Sequence, residues 1–325
     1  MKGVSRVLVT GGAGFVGSHL VDRLLAEGFE VRVLDDFSSG RMENLSCHSG
    51  VREFRLVRGD VRDAGLVKKV VEDVDGVFHL AALVDVALSI ENPVLFNEVN
   101  VVGTLNLLRA CVDSDVRRFI FASSAAVYGN SKSAKKREDM LPRPISPYGV
   151  SKLAAENYVQ VFNEFYGLET VSMRYFNVYG PRQGSASSYS GVITAFMSRL
   201  LRGQPPVIHG DGKQSRDFVH VDDVASANML ALESKNVVGG VFNIAGGTAI
   251  TVYELAKILQ QITNMERLKP IFTESRAGDI KHCSGDIHKA EEILGFHPKI
   301  QLEDGLSKLV KWRLHVTRAI EQSVL

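Results

Sequence analysis

The stretch Thr10-Gly11-Gly12-Ala13-Gly14-Phe15-Val16-Gly17 decides the fold of this 325-residue chain. It follows a short apolar segment, Arg6–Thr10, and opens a segment of helical periodicity, Phe15–Glu27, which stops at Gly28. Glycines at these spacings let the chain turn tightly and bring bare backbone against a pyrophosphate at a helix N-terminus. A glycine pattern alone predicts only a tight turn, but the flanking strand and helix favour a dinucleotide-binding turn.

Strand-like and helix-like segments alternate through the first half of the chain, which predicts a parallel sheet. The predicted strands are Arg6–Thr10, Glu30–Asp35, Phe54–Arg58, Gly76–Leu80, Arg118–Ala122 and Thr170–Tyr175. The predicted helices are Phe15–Glu27, Val94–Cys111 and Tyr148–Tyr166. After Tyr179-Gly180-Pro181, glycines, prolines and short segments break the alternation and indicate a smaller second lobe. Within that lobe, the segment Thr251–Glu254 predicts a capping box at the start of a helix.

The expected fold class is therefore α/β, a Rossmann-type doubly wound parallel sheet with a smaller α+β substrate-binding lobe. We expect an NAD-binding domain over residues 1–178 and the second lobe over residues 179–325, with some segments crossing back between them. Asp35 ends the second predicted strand about 20 residues beyond the glycines, where a carboxylate accepts the ribose hydroxyls of adenosine. The same charge repels a 2′-phosphate, so the sequence favours NAD over NADP as the cofactor.

The spacing tyrosine, three residues, lysine occurs at Tyr128/Lys132, Tyr148/Lys152 and Tyr253/Lys257. Tyr128 leads into the loop Gly129-Asn130-Ser131, so no helical spacing joins it to its lysine. Tyr253 lies in the second lobe, where a packed aromatic ring beside a solvated lysine is the simpler interpretation. Tyr148 and Lys152 open the helix after the fifth strand, and their i, i+4 spacing puts both on one face.

Tyr148, Lys152 and Ser124 are the predicted catalytic residues. A phenol with a pKa of about 10 is a poor base at neutral pH. A neighbouring ammonium and the positive nicotinamide ring both favour the phenolate and would lower that pKa. Ser124 supplies a hydroxyl at the end of the fifth strand, although a serine in that position can equally belong to an ordinary turn.

The composition excludes several other classes of protein. The chain is 45% hydrophobic and carries 38 basic against 37 acidic residues, so no polyanion-binding surface is expected. Its densest basic run, at 132–137, is followed at once by Glu138 and Asp139 and is typical of a solvated loop. The three cysteines (Cys47, Cys111 and Cys283) lie far apart, which indicates a reducing compartment and no structural metal site.

The residues before Val7-Leu8-Val9 contain no signal-peptide h-region, and no apolar run is long enough to cross a bilayer. We therefore expect a cytoplasmic protein with no nucleic-acid or membrane partner.

Four segments together resemble the extended short-chain dehydrogenase/reductases that modify nucleotide sugars: residues 10–17, Ser124 in SSAAVYG, Tyr148-Gly149-Val150-Ser151-Lys152, and Arg174-Tyr175-Phe176-Asn177. The resemblance covers nearly the whole chain and is nearest to the UDP-N-acetylglucosamine 4-epimerases, beside the UDP-glucose (UDP-galactose) 4-epimerases. It implies an isomerase in which Tyr148 takes the proton of the 4-hydroxyl as C4 gives a hydride to tightly bound NAD. The keto sugar then rotates, and the hydride returns to its other face.

The resemblance also implies a nucleotide clamp in the second lobe. Asn177 resembles a residue that touches the diphosphate, Arg216 resembles a phosphate-binding arginine, and Arg276 with Asp279 resembles a pair that holds UDP. The planar guanidinium suits this task because it can meet phosphate oxygens in two bonds. By sequence alone, each arginine could equally lie on the surface.

The resemblance further implies that Cys283 lies near the C2 substituent of the sugar, where a small residue admits an acetamido group and a tyrosine excludes it. Its alternative interpretation is a small buried hydrophobic residue without a role in selection.

The glycine turn and the resemblance together give the expected binding sites. The cofactor residues are Gly11, Gly14, Phe15, Val16, Gly17, Asp35, Asp36, Ser39, Gly40, Asp60, Val61, Leu80, Ala81, Ala82, Asn100, Ser123, Tyr148, Lys152 and Tyr175. The substrate residues are Ser124, Tyr148, Asn177, Val192, His209, Arg216, Arg276, Asp279 and Cys283.

One departure from related enzymes narrows the reaction. Dehydratases of this family carry an acidic pair after the catalytic hydroxyl, and the decarboxylases carry one glutamate, but this chain has Ala125-Ala126. A 3,5-epimerase would need a cysteine near that point, and none is present. Simple 4-epimerisation needs only the hydride and one proton shuttle.

Several alternatives stay open at this stage. The chain could be a UDP-galactose 4-epimerase without N-acetyl activity, or a net oxidoreductase such as a keto-sugar reductase, against which Asp35 argues. A non-enzymatic NAD-sensing scaffold is a further alternative, which the intact Tyr148 and Lys152 disfavour. The resemblance also implies a homodimer through the helices near 94–111 and 148–166, although their apolar residues equally suit core packing.

Overall fold

The structure, a computed structural model, describes residues 5–131, 133, 135–184, 191–275 and 281–323, the last six of these by their backbone alone. Its strands are β1 (Arg6–Thr10), β2 (Glu30–Asp35), β3 (Phe54–Arg58), β4 (Gly76–His79), β5 (Arg118–Ser124), β6 (Lys135–Lys136), β7 (Glu169–Tyr175), β8 (Asn177–Tyr179), β9 (Val207–His209), β10 (Ser215–His220), β11 (Gly240–Ile244), β12 (Ala249–Thr251), β13 (Ile271–Thr273) and β14 (His282–Gly285).

The helices alternate with these strands. They are α1 (Phe15–Ala26), α2 (Ala64–Val71), α3 (Val86–Glu91), α4 (Pro93–Asn97), α5 (Gly103–Asp113), α6 (Pro147–Tyr166), α7 (Val192–Leu200), α8 (Val221–Glu233), α9 (Val252–Ile262) and α10 (Leu302–Ser323). Short 3₁₀ segments cover Met42–His48 and Ala125–Tyr128, and π-helical segments cover Glu98–Val102 and Ala290–Leu294. The predicted capping box is present, since Thr251 and Glu254 bond each other's backbone N–H groups at the start of α9.

Seven strands form one sheet in the order β11-β7-β5-β4-β1-β2-β3, and every neighbouring pair runs parallel. The strand order reverses between β1 and β4, so the loops after these two strands diverge and leave a crevice at the carboxyl edge of the sheet. The predicted doubly wound Rossmann-type fold is confirmed.

Both faces of the sheet are covered by helices because successive strand residues point to opposite sides. Val7 and Val9 lie in a buried cluster with Leu20 of α1 and Val224 of α8. Leu8, between the two valines, lies in the opposite cluster with side chains of α2, α5 and α6. Complete burial of each such side chain is worth about 1.5–3 kcal/mol.

A second, smaller sheet has the order β12-β10-β14-β6, with β8 paired to β10. The chain crosses between the two sheets, because β6 precedes residue 178 and belongs to the small sheet, whereas β11 follows it and pairs with β7. The division of the chain at residue 178 stays a prediction.

The predicted single helix over Val94–Cys111 is interrupted. The π-helical segment Glu98–Val102 separates α4 from α5. The Thr104 hydroxyl donates to the Asn100 carbonyl oxygen at 2.6 Å, so a side chain occupies a position in the helical hydrogen-bond ladder. The prediction of one uninterrupted α-helix is therefore wrong.

Candidate active site

The glycine turn has the geometry that a pyrophosphate requires. Gly11 has a φ of +69°, and a Cβ atom there would lie 2.7 Å from the backbone nitrogen of Ala81. A Cβ atom on Gly17 would overlap the carbonyl oxygen of Gly11. Gly14 caps α1 without any side-chain hydrogen bond, so the first N–H groups of the helix have no capping side chain. They can therefore donate to a phosphate, which supports the predicted dinucleotide site.

Asp35 is held in place beside that turn. Its side chain is buried, and its two carboxylate oxygens accept hydrogen bonds from the backbone N–H groups of Ala13 and Phe37, both at 2.8 Å. A Cβ atom on Gly40 would lie 2.7 Å from the same carboxylate, so glycine is needed there. Burial raises the pKa of Asp35. Each carboxylate oxygen keeps a second lone pair for a ribose hydroxyl, as the sequence predicts.

The remaining adenosine-side residues lie around the same edge of the sheet. Asp36 and Ser39 are exposed in the loop after β2, and Phe15 and Val16 are half-buried at the start of α1. Val61 is buried, whereas the Asp60 carboxylate is bonded to Arg62, with 2.6 Å between Oδ2 and Nη2. This hydrogen bond lowers the pKa of Asp60.

Asn100 and Tyr175, two further predicted cofactor residues, also have their polar groups engaged within the protein. The Asn100 side chain accepts from Leu83 N at 2.8 Å and donates to Leu83 O and to Ser151 Oγ, both at 2.9 Å. The Tyr175 hydroxyl is hydrogen-bonded to the amide of Asn228, and burial raises its pKa. These side chains therefore position neighbouring segments. Any direct contact with the cofactor would involve atoms other than these hydrogen-bonded polar groups.

The structure brings the three predicted catalytic residues to one place. Ser146 caps α6 by accepting from Gly149 N at 3.1 Å, which fixes Tyr148 in the first helical turn. Burial raises the pKa of Tyr148, and a hydrogen bond with Ser124 opposes that rise. The Ser124 oxygen accepts from Ala126 N at 3.1 Å, so its own hydrogen is available to donate.

Lys152 lies on α6 one turn beyond the tyrosine and is only 3% exposed. Its Nζ atom stands 4.7 Å from the centroid of the Phe121 ring. Burial lowers the pKa of Lys152 to about 7, and the charge of Glu156 opposes the decrease. The sequence argument expected a lowered pKa at Tyr148, but that argument also counted the nicotinamide charge. In the protein alone, desolvation of the phenol outweighs its neighbours, and the pKa is raised.

A buried network of polar side chains, which the sequence did not predict, connects α6 to the neighbouring strands. Glu156 accepts from Ser123 Oγ and forms an ion pair with Arg174, with 2.6 Å between Oε1 and Nη2. Arg174 also donates to the Tyr128 hydroxyl at 2.8 Å, and that hydroxyl donates to Asn243 at 2.7 Å. Burial raises the pKa of Tyr128 to about 12, and both hydrogen bonds tie its hydroxyl into this internal network.

The third tyrosine–lysine pair is also accounted for by packing. Tyr253 is 38% exposed, and Lys257 Nζ lies 4.7 Å from the centroid of its ring. This is a surface cation–π contact in the second lobe, as the sequence analysis expected.

Two of the expected clamp residues, Asn177 and Arg216, lie on paired strands of the small sheet, β8 and β10. Arg216 on β10 pairs in register with Cys283 on β14 and donates through Nη1 to Ser215 O at 2.9 Å. Asn177 Nδ2 donates to Asp217 O at 3.0 Å. Cys283 is half-buried, and burial raises its thiol pKa. Arg276 and Asp279 lie outside the described residues.

Asp217 is an organising residue that the sequence analysis missed. It is fully buried, and its carboxylate accepts from Gly246 N at 2.7 Å and from Gly285 N at 3.1 Å. Burial raises its pKa to about 6. The only signal in the sequence is its position directly after Arg216.

Val192 and His209 occupy structural positions in the second lobe. Val192 is the first residue of α7 and packs against an apolar cluster. His209 ends β9, with its Nδ1 atom 2.9 Å from Thr273 Oγ1. The structure gives no direct support for a role of either residue in substrate binding.

In the described part of the chain, one group of side chains has metal-ligand chemistry: Asp22, Cys47 and His48, with ligand atoms within 4.8 Å of one another. Asp22 is already bonded to His48 Nε2 at 2.7 Å and to Arg182 Nη1 at 2.8 Å, which accounts for the cluster as an ion pair. Among the same residues, no helix combines the length and apolar character that a membrane span requires.

Residues 7–245 match the model of the family described as the NAD dependent epimerase/dehydratase family. A putative UDP-glucose 4-epimerase of Methanocaldococcus jannaschii is 41% identical, covering 94% of this chain and 97% of its own. A UDP-N-acetylglucosamine 4-epimerase from Methanobrevibacter ruminantium, solved with UDP-N-acetylmuramic acid, superposes with a TM-score of 0.92 at 40% identity, covering 97% of this chain and all of its own. A UDP-glucose 4-epimerase from Thermotoga maritima, solved with UDP-glucose, gives a TM-score of 0.90 at 39% identity, covering 96% and 99%.

Proposed function

The chain belongs to the NAD dependent epimerase/dehydratase family, and we propose that it inverts C4 of a UDP-hexose with NAD as its resident cofactor. The observation that carries this proposal is the convergence of Ser124, Tyr148 and Lys152 at the carboxyl edge of the sheet, beside the glycine turn. Relatives similar over nearly their whole length are 4-epimerases, which supports the same reaction here.

When bound, NAD supplies a ring that accepts a hydride from C4 of the sugar and gives it back. Tyr148 accepts the proton of the 4-hydroxyl and later returns it to the same oxygen, after the keto sugar has presented its other face. Ser124 donates its hydroxyl hydrogen to that oxygen and so holds it beside the tyrosine. Lys152, when protonated, stabilises the phenolate form by its positive charge.

The residues after Ser124 support epimerisation over elimination or decarboxylation. Ala125 and Ala126 begin the 3₁₀ segment directly behind the catalytic hydroxyl, and neither can give or take a proton. The anchored carboxylate of Asp35 disfavours NADPH, which a net keto-sugar reductase would prefer. An NAD-sensing scaffold would have no need for a buried tyrosine–lysine pair.

We further propose that the substrates include UDP-GlcNAc and UDP-GalNAc. Cys283 lies in register with Arg216, the expected phosphate ligand, so its small side chain lies next to the expected diphosphate site. A cysteine leaves room for an acetamido group that a phenol ring would occupy. A structural neighbour solved with an N-acetylated UDP-sugar supports this assignment.

We also propose a homodimer that forms through α6 and the helical segments beside it. Exposed apolar side chains of α6 recur at helical spacing on one face: Val150, Tyr158, Val161 and Phe165. Further exposed apolar residues lie on the segments that pack next to α6: Leu88, Ile90, Val94 and Leu95. Exposed apolar side chains on neighbouring helices are typical of an interaction site. Light scattering after gel filtration should give twice the chain mass.

The function is tested by incubating the purified protein with UDP-GlcNAc or UDP-glucose, without added cofactor, and separating the products. We expect UDP-GalNAc and UDP-galactose, the acetylated pair being turned over at least as well. Denaturing the same protein should release NAD. Recovery of mainly NADP would overturn the interpretation of Asp35, and absence of any C4 inversion would overturn the proposed reaction. We place the protein in the cytoplasm, where its free cysteines would remain reduced.

A further inference from the structure

His79 is a completely buried histidine at the end of β4 that belongs to none of the catalytic or glycine motifs. Its Nδ1 atom lies 2.8 Å from Thr10 Oγ1, and its Nε2 atom lies 2.8 Å from Thr104 Oγ1. Burial lowers its pKa to about 3, with the charge of Lys152 acting in the same direction. The ring is therefore neutral, with one nitrogen that donates and one that accepts.

The neighbouring groups fix which nitrogen carries the hydrogen. The Thr104 hydroxyl lies 2.6 Å from the Asn100 carbonyl oxygen, which can only accept, so Thr104 must donate to it. Thr104 then accepts from His79 Nε2–H, which leaves His79 Nδ1 to accept from the Thr10 hydroxyl. The Thr10 oxygen in turn accepts from the backbone N–H of Ala81 at 3.2 Å. Each hydrogen bond in this series therefore has a defined donor and a defined acceptor.

The series of hydrogen bonds continues from Asn100 to the catalytic helix. The side chain of Asn100 holds both the N–H and the carbonyl of Leu83, and it also donates to Ser151 Oγ at 2.9 Å. Ser151 donates to the carbonyl of Tyr148 at 2.8 Å. The loop that packs on Gly11 is thus connected, bond by bond, to the first turn of α6.

We infer that His79, as its neutral Nε2–H tautomer, is a positioning residue that fixes the loop 80–83 between the glycine turn and the catalytic helix. Ala81 N–H and the backbone of Leu83 receive their only described side-chain partners from this chain of groups. If one of these hydrogen bonds is lost, one end of the loop becomes free. Dinucleotide binding must then order the loop, which reduces the net free energy of binding. The inference depends on NAD binding and not on which sugar is turned over.

The test is the rate at which NAD bound to the holoenzyme exchanges with isotopically labelled NAD in solution. Thr10→Val keeps the side-chain shape but removes the link between His79 and Ala81, and should speed exchange about tenfold. Thr10→Ser restores the hydroxyl and should return the exchange rate to that of the wild type. Thr104→Val removes the hydrogen bond on the other side of His79, and it replaces Thr10→Val as the test variant if Thr10→Val fails to fold.

Thr170→Val is the matched control. Thr170 is equally buried, and its hydroxyl donates to Val159 O at 3.1 Å, but it lies on β7, which β5 and β4 separate from β1. It should lose stability as Thr10→Val does, with unchanged NAD exchange. Equal exchange in Thr10→Val, Thr104→Val and Thr170→Val would overturn the inference. Since exchange involves no sugar, failure of the epimerase proposal would leave this result unaffected.

A second readout examines the tautomer directly. In protein labelled with ¹⁵N-histidine, the His79 signals, assigned by their absence in His79→Gln, should show a neutral ring protonated at Nε2 from pH 5 to 9. An Nδ1–H ring, or titration within that range, would contradict the inferred direction of the hydrogen bonds.

Discussion

Glu156 lies one helical turn beyond Lys152 on α6, and its negative charge raises the pKa of that lysine against the effect of burial. The carboxylate is itself 1% exposed and is held by Arg174 through two hydrogen bonds, at 2.6 and 3.1 Å. The protonation of the catalytic lysine therefore depends on a buried acid that lies outside the tyrosine–lysine motif.

Glu156→Gln should destabilise the fold by about 3–5 kcal/mol, because it leaves the Arg174 guanidinium buried without its counter-charge. Urea unfolding followed by circular dichroism measures the loss. The double variant Glu156→Gln/Arg174→Met is the control, since it removes both charges and should recover part of the stability. A double variant less stable than the sum of its single variants would contradict this account of the pair.

The stability of NAD-free protein should depend on pH through Lys152. Its pKa is about 7 in the folded protein against an ordinary value of 10.5. Between these values the unfolded chain binds more protons, so the free energy of unfolding should rise from pH 7 to pH 9. Lys152→Met should remove this rise. Unfolding curves of both proteins at several pH values measure the difference, and parallel pH dependences would show that Lys152 ionises normally.

Asp217→Asn should weaken UDP binding and lower stability by about 1–3 kcal/mol, because an amide cannot accept from both backbone N–H groups that the carboxylate now satisfies. Titration calorimetry with UDP measures the first effect and urea unfolding the second. Asp211→Asn is the control, since that carboxylate lies on an exposed turn. Equal UDP affinity in the two variants would show that Asp217 does not support the residues that bind UDP.

Cys283→Tyr should abolish turnover of UDP-GlcNAc and leave UDP-glucose turnover largely intact, because the phenol ring fills the space of the acetamido group. The measurement is the ratio of the UDP-GlcNAc rate to the UDP-glucose rate, both determined on the same preparation. A matched Cys47→Ser variant, at an exposed thiol, should leave both rates unchanged. If the tyrosine variant still used UDP-GlcNAc, Cys283 would be excluded as the gate, while the 4-epimerase assignment would stand.

The sequence predicted the parts of the fold that local patterns determine. β1, β2 and β3 have the predicted bounds, because apolar runs and the glycine turn signal them directly. β4 ends one residue earlier than predicted, and β5 extends to Ser124.

The sequence could not predict features that arise from contacts between distant segments. The surroundings of His79 depend on two threonines that lie 69 and 25 residues away in the chain. Glu156 and Asp217 belong to no motif and are identified only by their burial and partners. The substrate assignments of Val192 and His209 came from the resemblance, and neither side chain gains support from its surroundings.

The most direct test of the central claim is the rate of C4 inversion by Tyr148→Phe, measured with UDP-GlcNAc on protein whose bound NAD has been quantified. The variant loses only the hydroxyl that moves the proton, so NAD content should stay at the wild-type level while the rate falls by about 10²–10⁴-fold or more. Tyr253→Phe, which alters the other helical tyrosine–lysine pair, should keep the wild-type rate. Full activity in Tyr148→Phe, or a comparable loss in Tyr253→Phe, would contradict the account.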